Sequence, residues 1–204
     1  YDTIVLKDIV TRYKVKNIEL LGRIINYLAS TSSQIFSASS INNFLKSEGR
    51  DCSKETLYNY LDYVVQSCTV NKAKRYDITG KKSLSTLEKY YLSDTGFANL
   101  YSTKFNIGAM LENVVFNELI SRGYDVQVGV TNNSEIDFIA TKNNLKEYFQ
   151  VSYLLFDENT ISREFGAFKK VKDNFPKYVI TADHFDFSQD GIIHKNIIDW
   201  LLDK

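Results

Sequence analysis

Four side chains in one short stretch could do chemistry together. Glu135 and Asp137 stand two residues apart, as do Gln150 and Ser152, and Lys142-Asn143-Asn144-Leu145 lies between the pairs. Asn tolerates the positive φ that a tight hairpin requires. With Asn143 and Asn144 at the centre of the turn, opposed positions are those whose numbers total 287. That register sets Asp137 opposite Gln150 and Glu135 opposite Ser152, and opposed residues share a face. Two acids, an amide and a hydroxyl would then gather on strands otherwise rich in Ile, Phe and Val. Polar groups are costly on so apolar a surface unless they have a task or a partner. The ordinary alternative is a carboxylate that anchors a turn at Asp137, and at Glu112 one that pairs with Arg122 or Lys104. Zinc chemistry is not expected. Cys52 and Cys68 are the only cysteines, and His184 and His194 stand apart from them.

The elements that must hold this face are legible around it. Leu111, Val114, Val115 and Leu119 form a helical stripe with Glu112 at its border, and Gly123 ends it. Val126, Val128 and Val130 alternate with polar or small residues, the period of a strand. Ser134–Thr141 is the next strand, with Ile136, Phe138 and Ala140 expected on one side and Glu135, Asp137 and Ile139 on the other. A helix is expected over Ser162–Asn174 through Phe165, Phe168 and Val171. Strands follow at Lys177–Thr181 and Ile192–His194, and a helix at Asn196–Leu202.

The first half reads as helical. Leu6, Ile9, Val10 and Tyr13 share a face, and Ile18–Ala29 continues through Leu21, Ile24, Ile25 and Leu28. Ser37 caps a short helix that stops at Gly49, and Ser53 opens a third carrying Leu57, Leu61, Val64 and Val65. Two extended segments, Thr69–Asp77 and Glu88–Leu92, flank a basic loop at Thr79–Lys82. Short helices followed by a hairpin are the order of a winged helix-turn-helix. In that arrangement the third helix enters the major groove and the hairpin meets phosphates. The candidate DNA contacts are Lys54, Tyr58 and Asn59 on the helix, with Arg50 just before it, and Lys72, Lys74, Arg75, Lys81 and Lys82 on the hairpin. Asp62 and Glu55 on the same helix oppose that reading, and such modules also serve as docking units.

Charge divides the chain as the periodicity does. The 204 residues hold 25 basic and 25 acidic side chains. Up to Lys104 the count is 15 basic and 10 acidic, and beyond it 10 and 15. Two domains are expected, 1–104 and 105–204, and only the first has a net charge suited to DNA. Hydrophobic residues at 44% exclude a disordered chain, and one Pro with nine Gly excludes a collagen-like one. No apolar run is long enough to span a membrane, and the start has no signal-peptide layout. A cytoplasmic protein is expected, and the absence of an initiator Met points to a fragment.

The order α-β-β-β-α-β, with an acid on the first helix, an Asp on a middle strand and a polar triplet on the next, resembles the restriction-endonuclease-like fold. The fold class expected is therefore α+β/α/β, a winged helix-turn-helix followed by a restriction-endonuclease-like αβββαβ domain. Members hold one or two divalent cations with an acid, an Asp and a Glu-x-Lys triplet. The resemblance implies Glu112 and Asp137 as metal ligands for Mg2+ or Mn2+, with Gln150-Val151-Ser152 at the triplet. Gln150 replaces the usual Glu, and Ser152 removes the Lys. Lys169 or Lys170 on the following helix would have to stand in. A degenerate, inactive site is therefore expected.

The chain as a whole is similar to the C-terminal half of a bacterial and archaeal family of AAA-type P-loop ATPases. The segments that carry this are Leu6-Lys7-Asp8-Ile9, Thr56-Leu57-Tyr58-Asn59-Tyr60-Leu61, Lys89-Tyr90-Tyr91-Leu92-Ser93-Asp94-Thr95-Gly96, Gly108-Ala109-Met110-Leu111-Glu112-Asn113, Glu135-Ile136-Asp137-Phe138 and Phe149-Gln150-Val151-Ser152-Tyr153. In that family an ATP-binding domain lies upstream; no G-x-x-x-x-G-K-[ST] occurs in this chain. The resemblance implies a DNA-binding or regulatory module. The alternatives are an active Mg-dependent DNA nuclease and a protein-interaction module.

Overall fold

In the computed structural model, residues 7–101, 106–131 and 134–203 are described, with the side chains of 85, 86 and 99–101 excepted. Leu6 and Lys104 fall outside them. No helix is long and apolar enough to cross a membrane among the described residues.

Helices dominate the first unit. α1 (Lys7–Tyr13), α2 (Ile18–Ser30), α3 (Ala38–Ser47) and α4 (Lys54–Gln66) precede the strands β1 (Val70–Asp77) and β2 (Lys82–Leu92), and α5 (Gly96–Tyr101) follows. The starts are set by side-chain caps. Asn17 accepts the Leu20 N–H, Ser37 that of Ser40 and Ser53 that of Thr56, each satisfying a donor that the helix leaves orphaned. Gly49 turns the chain at φ +70° after α3. Leu21, Ile24, Leu28, Ile41, Leu45, Leu57, Leu61 and Val64 close into one core with Val70, Tyr90 and Leu92. Each large aliphatic removed from water there contributes about 1.5–3 kcal/mol.

The second unit is built on α6 (Ile107–Ser121), β3 (Asp125–Val130), β4 (Glu135–Lys142), β5 (Leu145–Val151), α7 (Glu158–Gly166), β6 (Lys177–Thr181), β7 (Ile193–Asn196) and α8 (Ile197–Leu202). Its sheet runs β2-β1-β3-β4-β5-β6-β7. β3, β4 and β5 are antiparallel, whereas β5, β6 and β7 are parallel. Phe138 meets Phe116 of α6 and Phe149 meets Trp200 of α8 on one face. Phe165 and Phe168 cover Ile136, Ile139 and Val179 on the other. The sheet is thus a middle layer between helices.

Three expectations are revised. The hairpin does not fold with the first unit alone, because Ala73–Thr86 belongs to the second. Arg75, Tyr76 and Asp77 pair in parallel with Val128, Gly129 and Val130. Backbone hydrogen bonding along β3 claims that segment of β1, a partner that local sequence cannot reveal. The charge split shrinks accordingly. Tyr1–Lys72 with Leu87–Phe105 holds 11 basic and 9 acidic residues, and the remainder 14 and 16. The helix expected at Ser162–Asn174 begins at Glu158 instead, where Asp157 accepts the Thr160 N–H, and tightens into a 3₁₀ turn over Ala167–Lys170.

The third revision concerns the alternation in β4. Gln127 faces Ile139 and Gly129 faces Ile136, so β4 carries one residue more than β3 between those pairs. That is a β-bulge, which re-aims side chains. Ile136 and Ile139 consequently share one apolar cluster instead of lying on opposite faces.

Candidate functional site

The turn between β4 and β5 forms as its Asn pair requires, with φ +51° at Asn143 and +64° at Asn144. Pairing runs from Lys142 opposite Leu145 to Phe138 opposite Phe149, every pair totalling 287. Beyond it the side chains take over. The Asp137 N–H donates to Gln150 Oε1 at 3.3 Å, and the Val151 N–H donates to Asp137 Oδ2 at 2.8 Å. Both contacts sit beside the bulge, which lies between Ile136 and Ile139. Asp137 is buried and locked against the neighbouring strand.

A cleft of about 630 Å³ opens here, lined by Glu135, Asp137 and Gln150 from the strands and by Arg163, Glu164 and Lys169 from α7 and the turn after it. Three of the four residues that the resemblance implied as catalytic, Asp137, Gln150 and Lys169, line this one cleft. Glu112 lies half-buried on α6 and is not among the lining residues. The Ser152 N–H is bonded to the Ile180 carbonyl at 3.1 Å. Lys170 is exposed and does not line the cleft.

Sequence reading missed Glu164. Only 4% of it is exposed, and its Oε1 takes the Arg163 guanidinium at 2.6 Å. Its neighbours Phe165 and Phe168 were legible as an apolar stripe, but a helix start placed at Ser162 hides which turn faces the sheet. Asp157 followed by Thr160 was the signal that fixes it.

A divalent cation needs several hard oxygen donors together. Among the described residues, no three His, Cys, Asp or Glu side chains are placed to hold a metal ion. Gln150 Oε1 and Asp137 Oδ2 already accept backbone N–H groups. Of the positions that the resemblance implied for an Mg2+ or Mn2+ centre, Asp137 and Gln150 line the cleft and Glu112 is not among its lining residues.

The candidate DNA contacts are distributed unevenly. Lys54, Tyr58 and Asn59 are exposed along α4, with Tyr58 at 51%. Asp62 and Glu55 are exposed on the same helix, and Arg50 is tied to Glu19 at 2.6 Å. On the hairpin, Lys74, Lys81 and Lys82 are exposed. Lys72 lies 3.5 Å from Glu88, and Arg75 is half-buried with no hydrogen-bond partner at Nε.

A family described as "Domain of unknown function (DUF8612)" matches residues 1–106, and the chain belongs to that family. It is 40% identical to an uncharacterized protein of Haemophilus influenzae over 99% of this chain and 50% of the relative. It is 31% identical to an uncharacterized protein of Methanocaldococcus jannaschii over 84% of this chain and 39% of the relative. The chain thus spans half or less of the length of these relatives. No solved structure matches it.

Proposed function

We propose that this member of the family is the DNA-binding or regulatory C-terminal module of an AAA-type ATPase, with a restriction-endonuclease-like domain that does not cut. The observation that carries the inactive cleft is the pair of bonds at its floor. The resemblance puts a metal ligand at Asp137 and the first triplet residue at Gln150, and one oxygen of each accepts a backbone N–H. Ser152 stands where the cationic group of the triplet would be. A carboxylate oxygen that accepts a backbone N–H organises a strand end.

DNA binding is supported by the exposed face of α4, where Lys54 and Asn59 flank Tyr58, and by Lys74, Lys81 and Lys82. These cations form no ion pair among the described residues. Lysines contribute by neutralising phosphates, a sequence-independent term. The strand order β3-β4-β5-β6, antiparallel and then parallel between α6 and α7, is compatible with the nuclease-like reading of the second unit. The greater length of the relatives leaves room for the ATPase domain.

The test is binding and cleavage measured on the same preparation. Duplex and four-way DNA should bind with an affinity that falls between about 50 and 300 mM salt and falls again in Lys54→Ala. No cleavage is expected with Mg2+ or Mn2+. Absent or salt-independent binding would reject the DNA reading. Metal-dependent cleavage abolished by Asp137→Ala would reject the inactive cleft in favour of a nuclease, the reading that the position of Lys169 favours.

A further inference from the structure

The sheet of the second unit ends in opposite charges. At one edge, the β1–β2 hairpin exposes Lys81 at its tip, Lys82 at the start of β2 and Lys74 on the adjoining β1. At the other edge, β7, α8 and the loop after β6 enclose a cleft of about 520 Å³. Asp183, Asp186, Asp199 and Asp203 line it, against one cationic side chain, Lys195, which Asp203 already holds at 2.9 Å.

Apolar groups stand exposed on the same cleft. Phe185, from the loop after β6, is 79% exposed, and Leu202, from α8, is 74% exposed; both line the cleft. Ile198 lies one turn from Leu202 on α8, also exposed, whereas Ile197 and Trp200 are buried. The exposed face of α8 thus carries Ile198 and Leu202 beside Asp199, and exposed apolar side chains next to carboxylates suit a partner that is itself part apolar and part cationic.

We propose that copies of this chain associate head to tail, the hairpin tip of one seated in the β7-edge cleft of the next. Lysine suits this cleft better than a compact cation does. Its aliphatic stem covers apolar surface while the ammonium reaches a carboxylate, and an ammonium over Phe185 gains from the ring face. Asp199 and Asp186 have no cationic partner within the chain among the described residues, so the incoming lysines meet uncompensated charge. The two patches occupy opposite edges of one sheet. The contact is therefore heterologous, and it builds a ring or an open array, not a two-fold pair.

Nothing in this association requires nucleic acid, so it is tested on the chain alone. Light scattering or sedimentation at about 50 mM salt should give a mass above the monomer's 23.5 kDa, returning to it at about 300 mM as screening grows. Lys81→Glu with Lys82→Glu, and separately Asp199→Lys with Asp203→Lys, should each remain monomeric at low salt. An equimolar mixture of the two should associate again, because each reversed patch then meets its complement. Circular dichroism establishes that each variant is folded, and the milder Lys→Gln and Asp→Asn pairs should weaken association without reversing charge. A monomeric native chain at low salt, association that survives either reversal, or a mixture that stays monomeric would each overturn the proposal.

Discussion

Asp137 and Val151 are joined across two strands, the carboxylate Oδ2 of one accepting the backbone N–H of the other at 2.8 Å. The bond lies just past the last regular pair of β4 and β5, so a side chain does there what the backbone ladder does elsewhere. Asp137→Ala leaves that N–H without its acceptor and should cost about 1–3 kcal/mol in urea unfolding. Asp137→Asn, which keeps an oxygen at the same place, should cost less. A gain in stability in either variant would contradict this role and mark Asp137 as a strained functional acid.

Gly129 faces Ile136 across the bulge, and a Cβ built there would lie 3.1 Å from Ile136 Cβ and from Ile139 Cδ1 and Cγ1. The bulge brings both isoleucines over the same position. Gly129→Ala should destabilise the second unit by about 1–3 kcal/mol through overpacking. Adding Ile139→Val removes one of the crowded carbons, so the double variant should lose less than the separate losses combined. Strict additivity in thermal or chemical melts would show that the crowding is relieved elsewhere.

His194 makes stability depend on pH. Its Nδ1 accepts the Phe187 N–H at 3.4 Å, which leaves Nε2–H to donate to Thr181 Oγ1 at 2.8 Å. Thr181 in turn donates to Asp183 Oδ2 at 2.9 Å, which also takes the Leu155 N–H. Burial lowers the imidazole pKa, against the opposing pull of Asp183 and Asp186. With the folded value below the unfolded one of about 6.5, the unfolded chain binds the proton first on acidification. The contribution is complete above that unfolded value and is lost as pH falls towards the folded one. The Tm should therefore drop between about pH 7 and 5, and His194→Gln should flatten this slope. An unchanged slope in the variant would assign the acid sensitivity to other groups.

The start of α4 rests on Ser53, whose side chain accepts the Thr56 N–H at 3.1 Å. Ser53→Ala should cost about 1 kcal/mol, and Ser53→Asp should cost little, because both Ser and Asp accept that bond. Loss of DNA affinity in Ser53→Ala with unchanged stability would instead place the hydroxyl in the nucleic-acid interface.

What the sequence determined by itself is what neighbours along the chain decide. Ser37, Ser53 and the Asn143-Asn144 turn act within a few residues, so the helix starts and the β4–β5 register could be read in advance. Local interactions carry their own geometry, and a two-residue turn allows one pairing. Tertiary structure decided the rest. The bulge arises where β3 and β4 must fit each other, and it moves Ile139 to the side of Ile136. The Asp157 cap sets the start of α7 at Glu158 locally, but that Glu164 is buried follows from the packing of this helix in the second unit. The hairpin tip joins β3, so Lys74, Lys81 and Lys82 belong to the sheet of the acidic unit. Such pairings link residues far apart in sequence, and the free energy that selects one partner strand over another comes from burial and backbone bonding across the whole sheet. No local pattern records that choice.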